Sequence, residues 1–408
     1  MTVAEAAPAI KQTLPTTQES GGLAAFDMVC ACLAPQRPEL PDQTGLDLEL
    51  LARVARRHQV SALVAARLAE QGREAPPRLA RQAQHARQRA MRQLALSLDL
   101  ADALNAAGIA FAFLKGLTLS QRAFGSPLLR SAVDIDLLVP RGAVAQAWQV
   151  LDRLGLARIT PAADLGGARL ALYCRASKDS IHSHPASGIT VELHWRMSDE
   201  LARPELPPAA ELGLTELSPG RAVPVLDDCA QFLLLCTHGA AHGWARLKWL
   251  ADVAALLHRS ADGGAALWHH ARAQGAAIPA ASAILLGQEL FGLTPPPGFT
   301  PPRGLRLGLL LRLSRTMLRA GQGAQELEAT RWRGWAEMLA KALVVTGVRG
   351  PIAVLRRLAL SGEDVASTAL PPTLFWLYPV LRVPLLVRRR LTRAQRLRRS
   401  GGEDNNPA

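Results

Sequence analysis

The sequence predicts an α+β protein that is mostly helical, with one small sheet set between N-terminal and C-terminal helical lobes. Three observations carry this expectation. Ala, Leu and Arg dominate the 408 residues while aromatics make up only 4%, a mixture that favours helix. Apolar residues recur at helical spacing over most of the chain. Only residues 109–195 change pattern, to short apolar or alternating runs that fit strands.

Taken in order, residues 1–22 carry Pro, Thr, Gln and Gly without periodicity and read as a disordered tail. An N-terminal helical region covers 23–108. It holds an amphipathic helix from Leu46 to Glu70, a break at "REAPPRL", and a long helix over 78–107 that Gly108 stops. "IAFAFLK" (109–115) reads as a buried strand, "GLTLSQRAFG" as a short helix and "VDIDLLV" (133–139) as a second strand. Pro140 and Gly142 open a helix that Gly155 closes, and "GITVELHW" (188–195) is a third strand. An α/β core thus spans 109–226. From Asp227 or Asp228, either of which can cap a helix, a helical lobe runs over 227–292. A Pro/Gly linker occupies 293–304, a basic helical region 305–400, and a polar tail 401–408.

Half the residues are apolar, which excludes a disordered or fibrous chain. The five cysteines are odd in number and form no CxxC pair, which points to free thiols in a reducing compartment. No leader-like run opens the chain and no apolar run is clean enough to span a membrane. The expected location is cytoplasmic. The formal charge of +13 suggests nucleic acid, but only five residues are Lys and the rest of the basic residues are Arg. That skew fits biased codon usage better than a binding surface, so nucleic acid is the less favoured partner. It also makes each Lys conspicuous, because Lys and Arg are not equivalent at a phosphate.

Asp134 and Asp136 sit one residue apart in an apolar strand pattern. Strand side chains alternate, so both acids share a face and Ile135, Leu137 and Val139 take the other. Two carboxylates this close each oppose the other's ionisation. A divalent cation such as Mg²⁺ relieves the conflict, and its usual company is a nucleotide phosphate; a solvated strand edge is the plain alternative. Upstream, Lys115-Gly116 joins a strand to a helix start, where free N–H groups and a Lys charge suit a phosphate. Arg130 can clamp a further oxygen. Downstream, Glu192 and His194 share one strand face.

"FLKGLTLSQRAFGSPLLRSAVDIDLLV", "VELHW" and "HGAAHGWARLKWLADVAALL" together resemble the uncharacterised nucleotidyltransferase family of the DNA polymerase β-like superfamily, over about residues 45–290. The resemblance implies a minimal polymerase β-like sheet and transfer of a nucleoside monophosphate from an NTP, with ATP the guess, to a hydroxyl acceptor. It implies two Mg²⁺ ions held by Asp134, Asp136 and Glu192, with Glu192 also helping to deprotonate the acceptor. Lys115, Gly116 and Arg130 would bind the phosphates. Leu117 departs from the pattern, which has Ser there; Thr118, Ser120 or Lys115 can substitute. A nucleotide- or substrate-binding protein without turnover is the alternative, followed by a basic membrane- or RNA-associated adaptor.

His238 and His242 fall four apart on one helix face and suit metal, nucleotide or packing roles. His194 beside Glu192 suits a supporting role. His182 and His184 read as a loop before a strand rather than as metal ligands. Asp252 reads as the helix partner of Lys248, and Trp249 as core. "LPPTLFWLYPVLRVPLLV" and the Arg residues after it fit an anionic membrane surface, placing the protein at the inner face of the membrane. A helix docked on the core with a solvated basic tail is the competing reading.

Overall fold

The computed structural model describes residues 17–161, 165–198, 205–327, 330, 332–344, 360–382 and 384. The expected tail at 401–408 lies outside them. Of the expected tail at 1–22, residues 17–22 are described and begin a helix.

The mostly helical α+β class holds. Four helices lead: α1 (Thr17–Leu33), α2 (Leu48–Arg57), α3 (Ser61–Glu70) and α4 (Pro77–Ala106). Asp47 caps α2 by accepting from the Leu50 N–H at 2.9 Å. The α/β core follows as β1 (Ala112–Phe113), α5 (Leu117–Phe124), β2 (Asp134–Leu138), α6 (Val144–Arg153), β3 (Ala157–Thr160), α7 (Gly167–Ala176), β4 (Asp179–His184), β5 (Ile189–His194), β6 (Leu212–Ser218) and β7 (Arg221–Leu226). Then come α8 (Asp228–Ala241), α9 (Leu247–Arg259), α10 (Ala265–Ala273), α11 (Ala277–Phe291), α12 (Leu305–Arg319), α13 (Arg333–Val344) and α14 (Gly362–Ser367). Asp227 caps α8, accepting from Ala230 N–H at 2.7 Å, as its position suggests.

The sheet is larger than the sequence indicates. Seven strands run in the order β3-β4-β5-β2-β1-β7-β6, with β2 parallel to β5, β1 parallel to β7 and the other neighbours antiparallel. The apolar run at 109–115 yields only two strand residues, because its central position needs just a short bridge between β2 and β7. β4 escapes an apolar-pattern search because its inward residues are polar: Ser180 and His182 are fully buried. Trp148 Nε1 donates to Ser180 Oγ at 2.9 Å, and that hydroxyl lies 3.1 Å from His182 Nε2. The histidines at 182 and 184 are therefore in a strand, not a loop. The β6–β7 hairpin did leave a signal, Pro219-Gly220 between two alternating runs.

Regions that the sequence separates share cores. Phe26, Leu51 and Leu68 of the leading helices close on Phe232, Trp268 and Ile284 in one cluster. The Pro/Gly stretch at 293–304 lies on that body, with Leu293 buried and Phe299 edge-on to Trp268 at 4.9 Å between ring centres. Helix α4 crosses to the sheet, where Leu100 and Leu104 meet Ile135, Leu137, Val139 and Trp195. The C-terminal chain also returns there: Val365 and Tyr378 are fully buried in the same cluster, and Tyr378 Oη donates to Thr368 O at 2.7 Å. The stretch around Tyr378 is thus docked on the core.

Candidate active site

The register of two strands builds the site. Parallel pairing sets Asp136 beside Glu192, Asp134 beside Thr190 and Leu138 beside His194. Ile135, Leu137, Val191 and Leu193 enter the core on one side of the sheet, which leaves the acids and His194 on the other. Asp136 is buried there and Glu192 half-buried.

Lys115 Nζ lies 3.1 Å from Asp136 Oδ1, and His194 Nε2 lies 3.1 Å from the same oxygen and 3.3 Å from Glu192 Oε2. His194 Nδ1 is 3.7 Å from Asp179 Oδ2, and Lys178 pairs with Asp179. Burial alone would raise Asp136, but the Lys115 charge and the His194 hydrogen bond prevail and hold it well below the usual range. Asp134 behaves oppositely: burial, then the Asp136 charge, push it up to about 6. For His194 burial is again the largest influence and opposes the charged form, yet its hydrogen bonds to Asp136 and Glu192 raise it.

The chain turns into α5 at Gly116, with φ 72° and ψ −128°, a backbone conformation that only glycine adopts without strain. No side chain caps this start, and the first N–H groups of a helix have no partner within the helix itself. The candidate substitutes for the missing serine are committed elsewhere. Thr118 Oγ1 donates to Lys115 O at 3.1 Å. Ser120 is fully buried, donating to Ser126 O at 2.6 Å and accepting from Arg130 N–H at 2.9 Å. Lys115 remains.

Arg130 is buried rather than free at the mouth. Its Nε donates to both carboxylate oxygens of fully buried Asp252, at 2.8 and 2.9 Å. The expected Lys248–Asp252 helix pair is corrected accordingly: Asp252 reaches across to Arg130, and the Lys248 amine donates to Gln59 Oε1. Long-range pairing won because α9 packs against α5 and the loop after it. Burial opposes the Arg130 charge, but Asp252 above all, and then Asp136 and Asp134, raise it.

Spacing alone missed the part Lys248 plays here. Its amine is buried, and burial followed by the Arg130 charge lowers it to about 7, while Asp252 and Asp134 pull the other way. One signal was available in the rarity of lysine. Three of the five, Lys115, Lys178 and Lys248, act on the acids of this site.

The His238 and His242 rings lie 4.7 Å apart, both against Trp249. His238 is lowered well below its usual value, by burial and then by Lys115 and His242, so it borders the site. His242 faces away, with Nδ1 3.6 Å from Glu337 of α13. Among the described residues no third metal donor closes on this pair. His182 faces the opposite side of the sheet from Glu192, in register with Val191.

One set of donors among the described residues could hold a cation: Asp136, Glu192 and His194, with ligand atoms within 4.8 Å of one another. Asp134 is close enough for its charge to couple but lies outside that set. Two carboxylates, with the neighbouring Asp134 lifted by burial and then by the Asp136 charge, fit a divalent ion. Over residues 44–292, more than half of its length, the chain matches the uncharacterised nucleotidyltransferase family. The chain belongs to that family. The matched span runs from just before α2 to the end of α11 and holds every residue of this candidate site. Helices α12, α13 and α14 lie beyond it. No curated protein matches the chain.

Proposed function

We propose that this nucleotidyltransferase moves a nucleoside monophosphate from an NTP, with ATP the expected donor, to a hydroxyl acceptor. The observation that carries the reading is the in-register pairing of Asp136 with Glu192, facing Lys115 and the uncapped start of α5. The acceptor oxygen attacks the α-phosphorus, the bond to the bridging oxygen breaks, and pyrophosphate leaves with the electron pair. Glu192, more open than the buried Asp136 beside it, takes the hydroxyl proton. Lys115 and the amides after Gly116 hold the phosphates, Lys248 and Arg130 add positive charge, and His194 keeps Asp136 and Glu192 aligned. Divalent cations, Mg²⁺ in the expected pair, would be held by Asp134, Asp136 and Glu192 and supply charge to the phosphates.

The test is incubation of the chain with each α-labelled NTP and Mg²⁺ in cell extract. Label appears on a protein, an RNA or a small molecule, and Asp136→Asn abolishes it. Equal labelling by that variant refutes the reading. A nucleotide-binding protein without turnover is the second reading. It is favoured by Leu117 where a serine is expected and by the prior commitment of the Thr118 and Ser120 hydroxyls. Nucleotide binding without labelling in any extract would establish it. A cytoplasmic location fits the free, largely buried thiols.

A further inference from the structure

The charge of this chain is not spread along it. Residues 305–400 contain eighteen of the 47 basic residues and five of the 34 acidic ones. Their surplus equals the formal charge of +13 of the whole chain, so basic and acidic residues cancel over the rest taken together. The tryptophans divide at the same place. Of eight, Trp148, Trp195, Trp244 and Trp268 are buried and Trp249 is half-buried. The remaining three, Trp332, Trp335 and Trp376, are exposed, and all lie in that basic region.

Helix α13 concentrates this pattern. Ala336, Ala340, Leu343 and Val344 face the protein, where the helix packs on α8 and α12. Beside that stripe Trp335 is 73% exposed, Met338 61% and Leu339 48%. At 100° per residue these three fall within one arc, so they form a single apolar ridge. Trp332 at the preceding turn extends it. Three large apolar side chains side by side on one exposed helix face, each 48% exposed or more, mark a contact site. Its occupant must suit tryptophan, methionine and leucine at the contact and the arginine excess of the chain segment, 305–400, to which the helix belongs. An anionic bilayer meets both demands, because an indole settles at the headgroup level while arginines meet lipid phosphates.

We propose that α13, within the basic segment 305–400, is a membrane-docking surface on which Trp335, Met338 and Leu339 enter the headgroup layer of an anionic bilayer. No span is involved, since among the described residues no helix is long and apolar enough to cross a membrane. The surface differs from the 370–387 stretch that the sequence pattern suggests, where Tyr378 is tied to the core and 383 and 385–387 lie outside the described residues. It does not depend on nucleotidyl transfer.

Flotation of the full chain with vesicles tests it. With phosphatidylcholine containing roughly 30% phosphatidylglycerol the protein should float, and with phosphatidylcholine alone recovery should drop by roughly tenfold. High salt should release it. The triple variant Trp335→Ser, Met338→Ser, Leu339→Ser should lose flotation by roughly tenfold or more while keeping its thermal melt, because all three side chains are exposed. Emission of the wild type should shift to the blue on these vesicles, and that of Trp335→Phe should shift less. Three results would overturn the proposal. One is no flotation of the wild type on the anionic vesicles, and another is equal flotation of the triple variant. The third is a wild-type dimer that the triple variant abolishes while vesicle binding survives, which would assign the ridge to a second copy of the chain.

Discussion

Lys115 and Asp136 meet at 3.1 Å beside His194, and that contact separates the two aspartates chemically. Asp136 is held ionised by Lys115 and His194, whereas Asp134, two residues earlier on the same face, is lifted to about 6. Two acids that look equivalent in the chain therefore differ in what they contribute.

Asp136→Asn should lower nucleotide transfer by roughly 100-fold or more, the scale seen when a charge-stabilising group is removed from an active site. It also leaves Lys115 and His194 without their carboxylate. Transfer of label from α-labelled NTP measures the first effect and a thermal melt the second. A variant that melts like wild type but transfers no label would separate chemistry from packing.

Asp134 gives the cation-free protein a pH dependence. Its folded value is raised, so the folded state holds a proton that the unfolded state has lost between about 4 and about 6. Stability from this group is present below its unfolded pKa and declines as pH rises through that window. Mg²⁺ should flatten the decline by favouring the ionised form. Melts from pH 4 to 7, with and without Mg²⁺, report it; identical slopes would argue against a cation at this acid.

Lys248 should govern nucleotide affinity more than stability. Its amine is lowered to about 7, so it loses charge as pH rises through neutrality and becomes a weaker phosphate partner. Nucleotide affinity in the wild type should fall between pH 6 and 8.5. Lys248→Met should bind roughly tenfold more weakly at pH 6, a loss of about 1.4 kcal/mol. It should also lose much of the pH dependence. Equilibrium titration with a non-hydrolysable NTP measures both.

Asp252→Asn should behave differently although it lies one helical turn away. It leaves Arg130 charged in a buried setting, which costs about 3–5 kcal/mol. The expected outcome is a much lower melting temperature or insoluble protein. The double variant Asp252→Leu, Arg130→Met, which removes both charges, should recover a large part of the loss.

Gly116→Ala should weaken nucleotide binding and stability together. The added Cβ would meet only ordinary contacts, 3.8 Å from Asp134 O. The penalty is therefore one of backbone conformation, on the order of 1–3 kcal/mol at this positive φ. A nucleotide titration and a melt on the same variant check it.

What was readable before folding follows local geometry. A two-residue period places Asp134 and Asp136 on one face, and Glu192 and His194 on one face, whatever lies around them. A lysine and glycine at a strand-to-helix joint likewise mark α5, and an aspartate before a polar turn marks the cap of α8. Less readable were β4, whose inward positions are a serine bonded to Trp148 and a histidine bonded to that serine, and the pairing of Asp252. A helix spacing offered Lys248, but the packing of α9 against α5 presented Arg130 from 122 residues away.

By itself the sequence determined the class of the fold, the faces of the acidic strands and the family to which the chain belongs. The tertiary structure alone decided that the donor atoms of His194 come within 4.8 Å of those of Asp136 and Glu192, that three rare lysines act on one site, and that α13 turns tryptophan outward. Periodicity is a property of a short segment and survives any surroundings. Partners, burial and the charge a group carries are set by segments far apart in the chain, and they exist only once those segments have packed.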